Sequence, residues 1–215
     1  MVYCISDIHG EYDRFKSMLE LIHFSDNDTL YILGDVIDRG PDGVDALLDI
    51  MERSNVHMIL GNHEAMLLAT LGPHNEIGAR ELWMRNGGDG TRADLLHCRR
   101  PETREIIINY LLSLPDHLNI EVNGKPYYLV HGYPAFDHFN RVWGRPRNSD
   151  SQPPIPGTTV IVGHTPTVFL TESYDKPCTI WRGNGIIDID CGCGHDWIEG
   201  RLACLRLDDM TEFYT

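Results

Sequence analysis

Three short apolar runs near the start of the chain alternate with stretches of helical periodicity. The runs cover residues 2–6, 29–33 and 56–60, and apolar positions at helical spacing follow each of them. This order predicts a β-α-β-α-β-α unit. The runs are apolar at almost every position, as is typical of parallel strands covered on both faces. The helical stripes are Phe15, Met18, Leu19 and Ile22; Val44, Leu47, Leu48 and Met51; and Ala65, Met66, Leu68 and Ala69.

The remainder of the chain predicts irregular helices followed by strands. Residues 72–118 have a helical pattern, and a hairpin then turns at Asn123-Gly124. Residues 144–157 are rich in proline and glycine and predict a long loop, of a length that is often functional. No linker interrupts the pattern, so we expect one α/β domain over residues 1–215. Further strands are predicted at 159–163, 186–190, 201–207 and 212–215.

The charge and composition narrow the classes of partner. The chain has 215 residues and a net charge of −14, which argues against nucleic acid and anionic membranes as partners. The net charge does not exclude a phosphorylated substrate, because bound metal ions can reverse the sign of the local charge. The longest apolar stretch, residues 106–114, is too short to span a bilayer. The first residues lack the pattern of a signal peptide, so we expect a cytoplasmic location. The sequence does not indicate an oligomeric state.

The cysteines are expected to be structural thiols. Cys191 and Cys193 could ligate a soft metal, but no second Cys-x-x-Cys unit exists to complete a zinc site. A reducing compartment would keep all six as free thiols. The six are Cys4, Cys98, Cys178, Cys191, Cys193 and Cys204.

Polar side chains follow five of the predicted strands, at the point where each strand ends. In open α/β sheets, this edge is where ligands bind. Oxygen and imidazole donors without thiolate suit Mn²⁺, iron or Zn²⁺. Six donors are too many for one open site but suit two ions that share a carboxylate, for which Asp35 is the natural bridge. The six donors are Asp7, His9, Asp35, Asn62, His131 and His164.

Each motif also has a structural explanation when it is taken alone. "DIHG" is compatible with a helix-capping turn, "HG" and "GHTP" with loops, and "GDVIDRG" with a turn held by an Asp–Arg pair. Five such motifs in order, all at strand ends, favour a functional site, because independent signals then agree.

The ordered set "DIHG…GDVIDRGP…GNHE…HG…GHTP" resembles the calcineurin-like metallophosphoesterase superfamily. "GDVIDRG" with "GNHE" resembles its phosphoprotein phosphatase branch, and "VWGR" at 142–145 is similar to the bacterial and bacteriophage lambda-type Ser/Thr protein phosphatases. The resemblance implies a four-layer α/β/β/α sandwich in a single domain. It also implies two divalent metal ions, with Mn²⁺ the first choice and iron, zinc, nickel or cobalt as alternatives.

The resemblance implies a role for each site residue. His63 matches a general acid with Asp38 as its carboxylate partner, and Arg39 matches a phosphate-binding arginine. Arg145 is our choice for the second phosphate arginine. Its neighbours Arg141 and Arg147 are alternatives for the same role. Metal 1 would be bound by Asp7, His9 and the bridging Asp35, and metal 2 by Asp35, Asn62, His131 and His164.

The implied activity is hydrolysis of phosphoserine and phosphothreonine in proteins by direct attack of metal-bound hydroxide. Alternatives are a symmetrical dinucleoside polyphosphate hydrolase, another nucleotide phosphoesterase, and a catalytically silent scaffold with the same fold. The substrate is thus expected to be a phosphorylated protein or a small phosphoester. The tail "IDIDCGCGHD" departs from the family pattern, and we expect structural or solvated roles for Asp190 and His195.

Overall fold

Ten strands and eight α-helices make up this computed structural model, which describes residues 1–215. The strands are β1 (Val2–Ile5), β2 (Thr29–Ile32), β3 (Val56–Met58), β4 (His117–Val122), β5 (Lys125–Val130), β6 (Thr159–Val162), β7 (Trp181–Arg182), β8 (Ile186–Asp188), β9 (Ala203–Arg206) and β10 (Thr211–Tyr214). The helices are α1 (Tyr12–Leu21), α2 (Gly43–Glu52), α3 (Asn62–Leu71), α4 (Ala79–Arg85), α5 (Asp89–Ala93), α6 (Pro101–Ser113), α7 (His138–Trp143) and α8 (Val168–Thr171), with a π-helical turn at Asp94–Cys98.

The strands form two five-stranded mixed sheets. The first has the order β10-β9-β1-β2-β3, and its last three strands are parallel, as the β-α-β-α-β-α pattern predicts. The second has the order β4-β5-β6-β8-β7, with parallel strands in the middle and antiparallel strands at both edges. The predicted hairpin turns at Asn123-Gly124, where both residues have positive φ.

Alternating side chains build one core between a sheet and helices and another between the sheets. Tyr3 and Ile5 of β1 pack toward the helical core, whereas Cys4 packs between the sheets. Leu129 of β5 meets this inter-sheet core, and its neighbour Val130 points to the outer face. The predicted α/β/β/α sandwich is confirmed. The fourth layer is thin, because the helices after β5 are short and residues 144–158 form the predicted loop.

Two details differ from the sequence pattern. The third predicted strand ends at Met58, and α3 begins at Asn62, so the "GNHE" motif opens a helix. The buried face of α3 includes polar Asn62, His63 and Glu64, while Leu68 is only partly buried. The apolar stripe predicted for α3 is therefore wrong in part. A periodicity argument assumes a polar helix end at the surface, but here it is buried at the sheet edge.

The structure contains no helix that combines the length and the hydropathy needed to cross a membrane. All six cysteines are free thiols, and five of them are buried.

Candidate active site

The loops after β1, β2 and β6 carry an unusual concentration of left-handed backbone. Six of the ten non-glycine residues with positive φ lie in these three loops. Each such residue costs about 1–3 kcal/mol and persists only where the surroundings enforce it, which is typical of functional sites. The six are Asp7, His9, Asp35, Asp38, Arg39 and His164.

Asp7 and His9 follow β1, and both are fully buried. The ring of His9 donates its Nδ1–H to the carbonyl of Ile37 at 3.2 Å, so Nε2 keeps a lone pair. This Nε2 lies 3.6 Å from Oδ1 of Asp7 and 3.8 Å from Oδ2 of Asp35. Oδ2 of Asp7 accepts hydrogen bonds from the Ser6 hydroxyl and from the backbone N–H of His164. Three acceptors thus face one another at the end of the first sheet.

A second set of acceptors surrounds His131, which follows β5. Its Nδ1–H donates to the carbonyl of Leu33 at 2.6 Å, and its Nε2 lies 3.0 Å from Oδ1 of Asn62 and 3.3 Å from Oδ2 of Asp35. Nδ1 of His164 lies 2.8 Å from the same amide oxygen of Asn62. Burial lowers the pKa of His131, but the charge of Asp35 prevails and raises it to about 10. The space between Nε2 of His131 and the carboxylate of Asp35 therefore favours a positively charged group.

Asp35 joins the two sets and gives them the chemistry of a metal centre. Its Oδ2 faces Nε2 of both His9 and His131, while its Oδ1 accepts the backbone N–H of His63 at 2.9 Å. Burying these converging oxygens and imidazole nitrogens is unfavourable unless a proton or a metal cation lies between them. Imidazole, carboxylate and amide donors fit hard or borderline divalent ions. The residues present therefore fit two divalent ions that share Asp35, and the sequence-predicted donors are all brought together here.

His63 lies beside this centre and forms a pair with Asp38. Its Nδ1 donates to Oδ2 of Asp38 at 2.7 Å, and its Nε2 lies 3.9 Å from Oδ2 of Asp35. The same Nε2 faces Nη2 of Arg39 at 3.3 Å, and a guanidinium at that distance opposes a bound cation. Burial lowers the pKa of His63, but Asp35 and Asp38 outweigh it and raise the pKa above the usual value. Such a pair can deliver a proton.

One residue that supports the site, Trp83, has no obvious sequence signal. The indole N–H of fully buried Trp83 donates to Oδ2 of Asp38 at 2.7 Å and so orients the partner of His63. Trp83 is far from Asp38 in sequence, so only the fold reveals this contact.

Glu64 organises the loop after β2. Its carboxylate accepts the backbone N–H groups of Asp35, Val36, Ile37 and Gly61 at 2.8–3.4 Å. Burial and the charge of Asp35 raise the pKa of Glu64 to about 7. The signal that could have identified it is the glutamate at the third helical position of "GNHE", which fits a capping box.

The three candidate arginines, one within α7 and two after it, have different environments. Arg141 is held by Asp116 at 2.8 Å and by the carbonyls of Ala135 and Phe136. Nη1 of Arg145 lies 3.5 Å from Oγ1 of Thr165, next to His164, and its side chain is exposed. Arg147 is also exposed but bonds only through its backbone N–H and carbonyl groups. The geometry thus favours Arg145 as an anion-binding residue near the candidate metal centre, whereas Arg141 is already bound to Asp116 and to backbone carbonyls.

The two polar residues of the tail differ from each other. Asp190 is buried and accepts the N–H of Gly192 at 2.8 Å, and burial raises its pKa well above the usual range. Its contacts are those of a structural residue. His195, in contrast, lies in the cleft with Nε2 2.8 Å from Nη1 of Arg39. Burial and the charge of Arg39 lower the pKa of His195 to about 4.

The two-sheet sandwich and the paired donor sets at its strand ends are the features that the sequence motifs predict for the calcineurin-like phosphoesterase family. The sequence profile of the calcineurin-like phosphoesterase family matches residues 1–189, and the chain belongs to that family. The family uses divalent metals. The groups of side chains that could hold a metal ion, with ligand atoms within 4.8 Å of one another, are His9, Asp35 and His63, and Asp35, His131 and His164.

Relatives within the family have two kinds of substrate in their names. The chain is 52% identical over 68 residues to the symmetrical bis(5'-nucleosyl)-tetraphosphatase of Wigglesworthia glossinidia brevipalpis, covering 31% of this chain and 25% of the relative. It is 32% identical over 139 residues to serine/threonine-protein phosphatase 2 of Escherichia coli K12, covering 64% of this chain and 61% of the relative. The chain thus spans a quarter to about three fifths of the curated relatives it matches.

Solved structures share the fold at low sequence identity. A provisionally assigned diadenosine tetraphosphatase superposes with a TM-score of 0.68 at 19% identity, covering 100% of this chain and 92% of that one. A serine/threonine phosphatase of Saccharomyces cerevisiae gives a TM-score of 0.60 at 14% identity, with 100% and 78% covered.

Proposed function

We propose that this protein is a two-metal phosphomonoesterase that hydrolyses phosphoserine and phosphothreonine in protein substrates. The observation that carries the proposal is the pair of donor sets that share Asp35 beside the His63–Asp38 pair. The similarity to a bacterial Ser/Thr protein phosphatase over 64% of the chain supports the choice of substrate. We also propose that residues 1–215 act as one domain, because one continuous core joins the two sheets.

The metal ligands in this proposal are divided by the two donor sets. Asp7, His9 and Asp35 hold one ion, and Asp35 with the three residues of the second set holds the other, with Mn²⁺ as our first choice. When bound, the two ions activate a water for attack and neutralise the charge of the phosphoryl group. The three residues of the second set are Asn62, His131 and His164.

The other side chains act on the substrate itself. Arg39 and Arg145 bind the phosphoryl oxygens, for which the planar guanidinium provides paired donors. His63 protonates the leaving alkoxide of serine or threonine. Asp38 orients the ring of His63 and stabilises its protonated form. Nη2 of Arg39 lies 3.3 Å from Nε2 of His63, and this proximity supports the two roles that we propose for them.

One observation favours a dinucleoside polyphosphate as the second candidate substrate. An open cavity of about 630 Å³ adjoins Arg145 and Thr165. Trp143 and Phe169 contribute aromatic walls to it, and Arg147 adds a further cation. An aromatic wall with cations suits a base and its phosphates.

A matched substrate panel tests the proposal. The metal-loaded enzyme is assayed with phosphoserine, phosphothreonine and phosphotyrosine peptides, diadenosine tetraphosphate and nucleoside monophosphates. We expect the highest kcat/KM on the first two peptides. A preference for diadenosine tetraphosphate, with a raised KM for it in Phe169→Ala and no change for the peptides, would establish the second candidate instead.

A further inference from the structure

His195 is held in the cleft by the packing of two loops. Residues 191–195 follow β8 and lie against the loop after β1. Gly194 has a φ of +73°, and a Cβ at this position would lie 2.6 Å from Cβ of His9. Only glycine permits this approach, so "CGCG" is needed to bring the next residue to the metal centre. The rings of His195 and His9 consequently stand edge to face, with centroids 6.2 Å apart.

The hydrogen bonds of His195 determine which ring nitrogen carries its proton. The indole nitrogen of Trp197 can only donate, and it lies 3.0 Å from Nδ1 of His195. Nδ1 must therefore be the acceptor, which places the hydrogen of the neutral ring on Nε2. A doubly protonated ring would remove the acceptor at Nδ1 but would still carry the hydrogen on Nε2.

This tautomer creates a conflict on the other side of the ring. Nε2 of His195 lies 2.8 Å from Nη1 of Arg39, and a guanidinium also only donates. Two N–H donors thus face each other without an acceptor between them. Arg39 is exposed and long enough to move aside, whereas the loop of His195 is held by glycine packing. An anionic oxygen placed between the two groups would accept from both.

We propose that His195 is a phosphate-binding residue whose Nε2–H donates to an oxygen of the substrate phosphoryl group that Arg39 also binds. Trp197 acts as a positioning residue, because its indole N–H keeps the lone pair of His195 on Nδ1. The inference rests on the proposed function of the site and adds a donor to it. It also replaces the structural or solvated role expected for His195 from the sequence.

Phosphate binding to the metal-loaded enzyme provides the first test. Inorganic phosphate is the probe, and its affinity is measured by calorimetry and by competitive inhibition. His195→Ala should weaken binding about tenfold, the effect of one hydrogen bond to a charged group, with metal content unchanged. His195→Gln, which retains an N–H donor, should recover part of the affinity. His97→Ala, an exposed histidine on the π-helical turn, is the matched control and should bind phosphate as the wild type does.

The tautomer provides a second readout that does not depend on turnover. Long-range ¹H–¹⁵N spectra of ¹⁵N-histidine-labelled enzyme identify the protonated nitrogen, and the signal missing from His195→Gln assigns the ring. We expect the Nε2–H form in the wild type. Trp197→Phe, which keeps an aromatic ring but lacks the N–H, should release the tautomer and weaken phosphate binding.

Either of two results overturns the inference. An Nδ1–H tautomer means that His195 only accepts from Arg39. Unchanged phosphate affinity in His195→Ala, in an enzyme that hydrolyses phosphoesters, means that the ring does not contact phosphate. In both cases the proposed function stands. A metal-loaded wild type that neither binds phosphate nor hydrolyses any member of the panel rejects the proposed function itself.

Discussion

A single hydrogen bond to a backbone carbonyl determines the chemistry of two histidines in the site. Ile37 accepts from His9, and Leu33 accepts from His131, so in each neutral ring Nε2 is left with a lone pair that faces Asp35. Groups beyond the ligands thus select the tautomer that a metal requires. The sequence motif identifies the histidine, but only the fold shows the backbone carbonyl that orients its ring.

The shared position of Asp35 leads to a first prediction about metal content. Asp35→Ala should lose more metal than Asp7→Ala, because Asp35 faces both donor sets and Asp7 faces one. Elemental analysis after dialysis against Mn²⁺ measures the ions retained per chain. A full complement in Asp35→Ala would show that this carboxylate bridges nothing.

The second prediction separates His63 from its neighbour Asn62. An alkyl alkoxide needs a proton in the transition state, whereas nitrophenolate leaves without one. His63→Asn should therefore retain metal and lose about 10²–10⁴-fold in kcat on a phosphoserine peptide, but much less on p-nitrophenyl phosphate. Asp38→Asn should show the same bias more weakly, because Asp38 acts through the ring at 2.7 Å. Equal losses on both substrates would assign His63 to phosphate binding instead.

At the scale of elements, the N-terminus of α3 connects the first sheet to the candidate metal centre. Gly61 allows the helix to approach the loop after β2, since a Cβ there would overlap Asp35. Glu64, one turn into α3, then accepts four backbone N–H groups from this approach. One carboxylate from α3 therefore helps to hold the loop in which Asp35 has its left-handed conformation.

The third prediction follows from this arrangement. Glu64→Gln replaces an acceptor oxygen by an NH₂ group that faces backbone donors, leaving buried N–H groups unpaired. The free energy of unfolding of the metal-free protein should fall by about 2–4 kcal/mol, as is usual when buried polar groups lose partners. Urea unfolding measures the loss. Glu102→Gln on the exposed first turn of α6 is the control and should change stability by less than about 0.5 kcal/mol.

Asp116, which directly precedes β4, contacts His138 and Arg141 of α7, and this gives a fourth prediction, on pH. Burial opposes the charged form, but hydrogen bonds from His117, His138 and Arg141 prevail and lower the pKa of Asp116 to about 2. A depressed carboxyl pKa stabilises the fold above the unfolded value of about 4, and the contribution disappears as the pH falls toward 2. Asp116→Asn should therefore cost about 1–2 kcal/mol at pH 7, after allowance for solvent screening.

Urea unfolding at several pH values checks this dependence. The difference between wild type and Asp116→Asn should shrink as the pH falls from about 4 to 2. Asp13→Asn, at a highly exposed carboxylate paired with Lys16, is the control and should give a small difference at every pH. A constant difference for Asp116→Asn would mean that packing, rather than ionisation, accounts for its effect.

At the scale of the whole molecule, the sequence predicts local elements but not the contacts between residues that are far apart in the chain. The strands and most helices were predictable, because their apolar periods report burial directly. The grouping of the six candidate metal donors was predictable because each follows a strand end beside a glycine or a turn. The contacts of Trp83, Glu64 and His195 were not, because each contacts a partner on another element. The α3 stripe failed for the same reason, since tertiary burial of polar groups overrides periodicity.

The whole molecule also concentrates negative charge where the strand ends meet, and this leads to the last prediction. The net charge is −14, and buried Asp7 and Asp35 lie together in the donor sets. Ions that bind only the folded state stabilise it by mass action, by about 2.7 kcal/mol at 100 times Kd. For a domain of this size each kcal/mol shifts Tm by about 2–4 °C, so chelation should lower Tm by about 5–10 °C.

Calorimetry of the wild type and two variants, with and without chelator, makes this prediction specific. Asp35→Asn should lose nearly all of the metal-dependent shift, and Asp7→Asn only part, because Asp7 contacts one donor set. In the metal-free state, the Tm of Asp35→Asn should differ less from that of the wild type, since the amide also relieves repulsion among the buried carboxylates. An equal metal-dependent shift in the wild type and in Asp35→Asn would place the ions outside these donor sets.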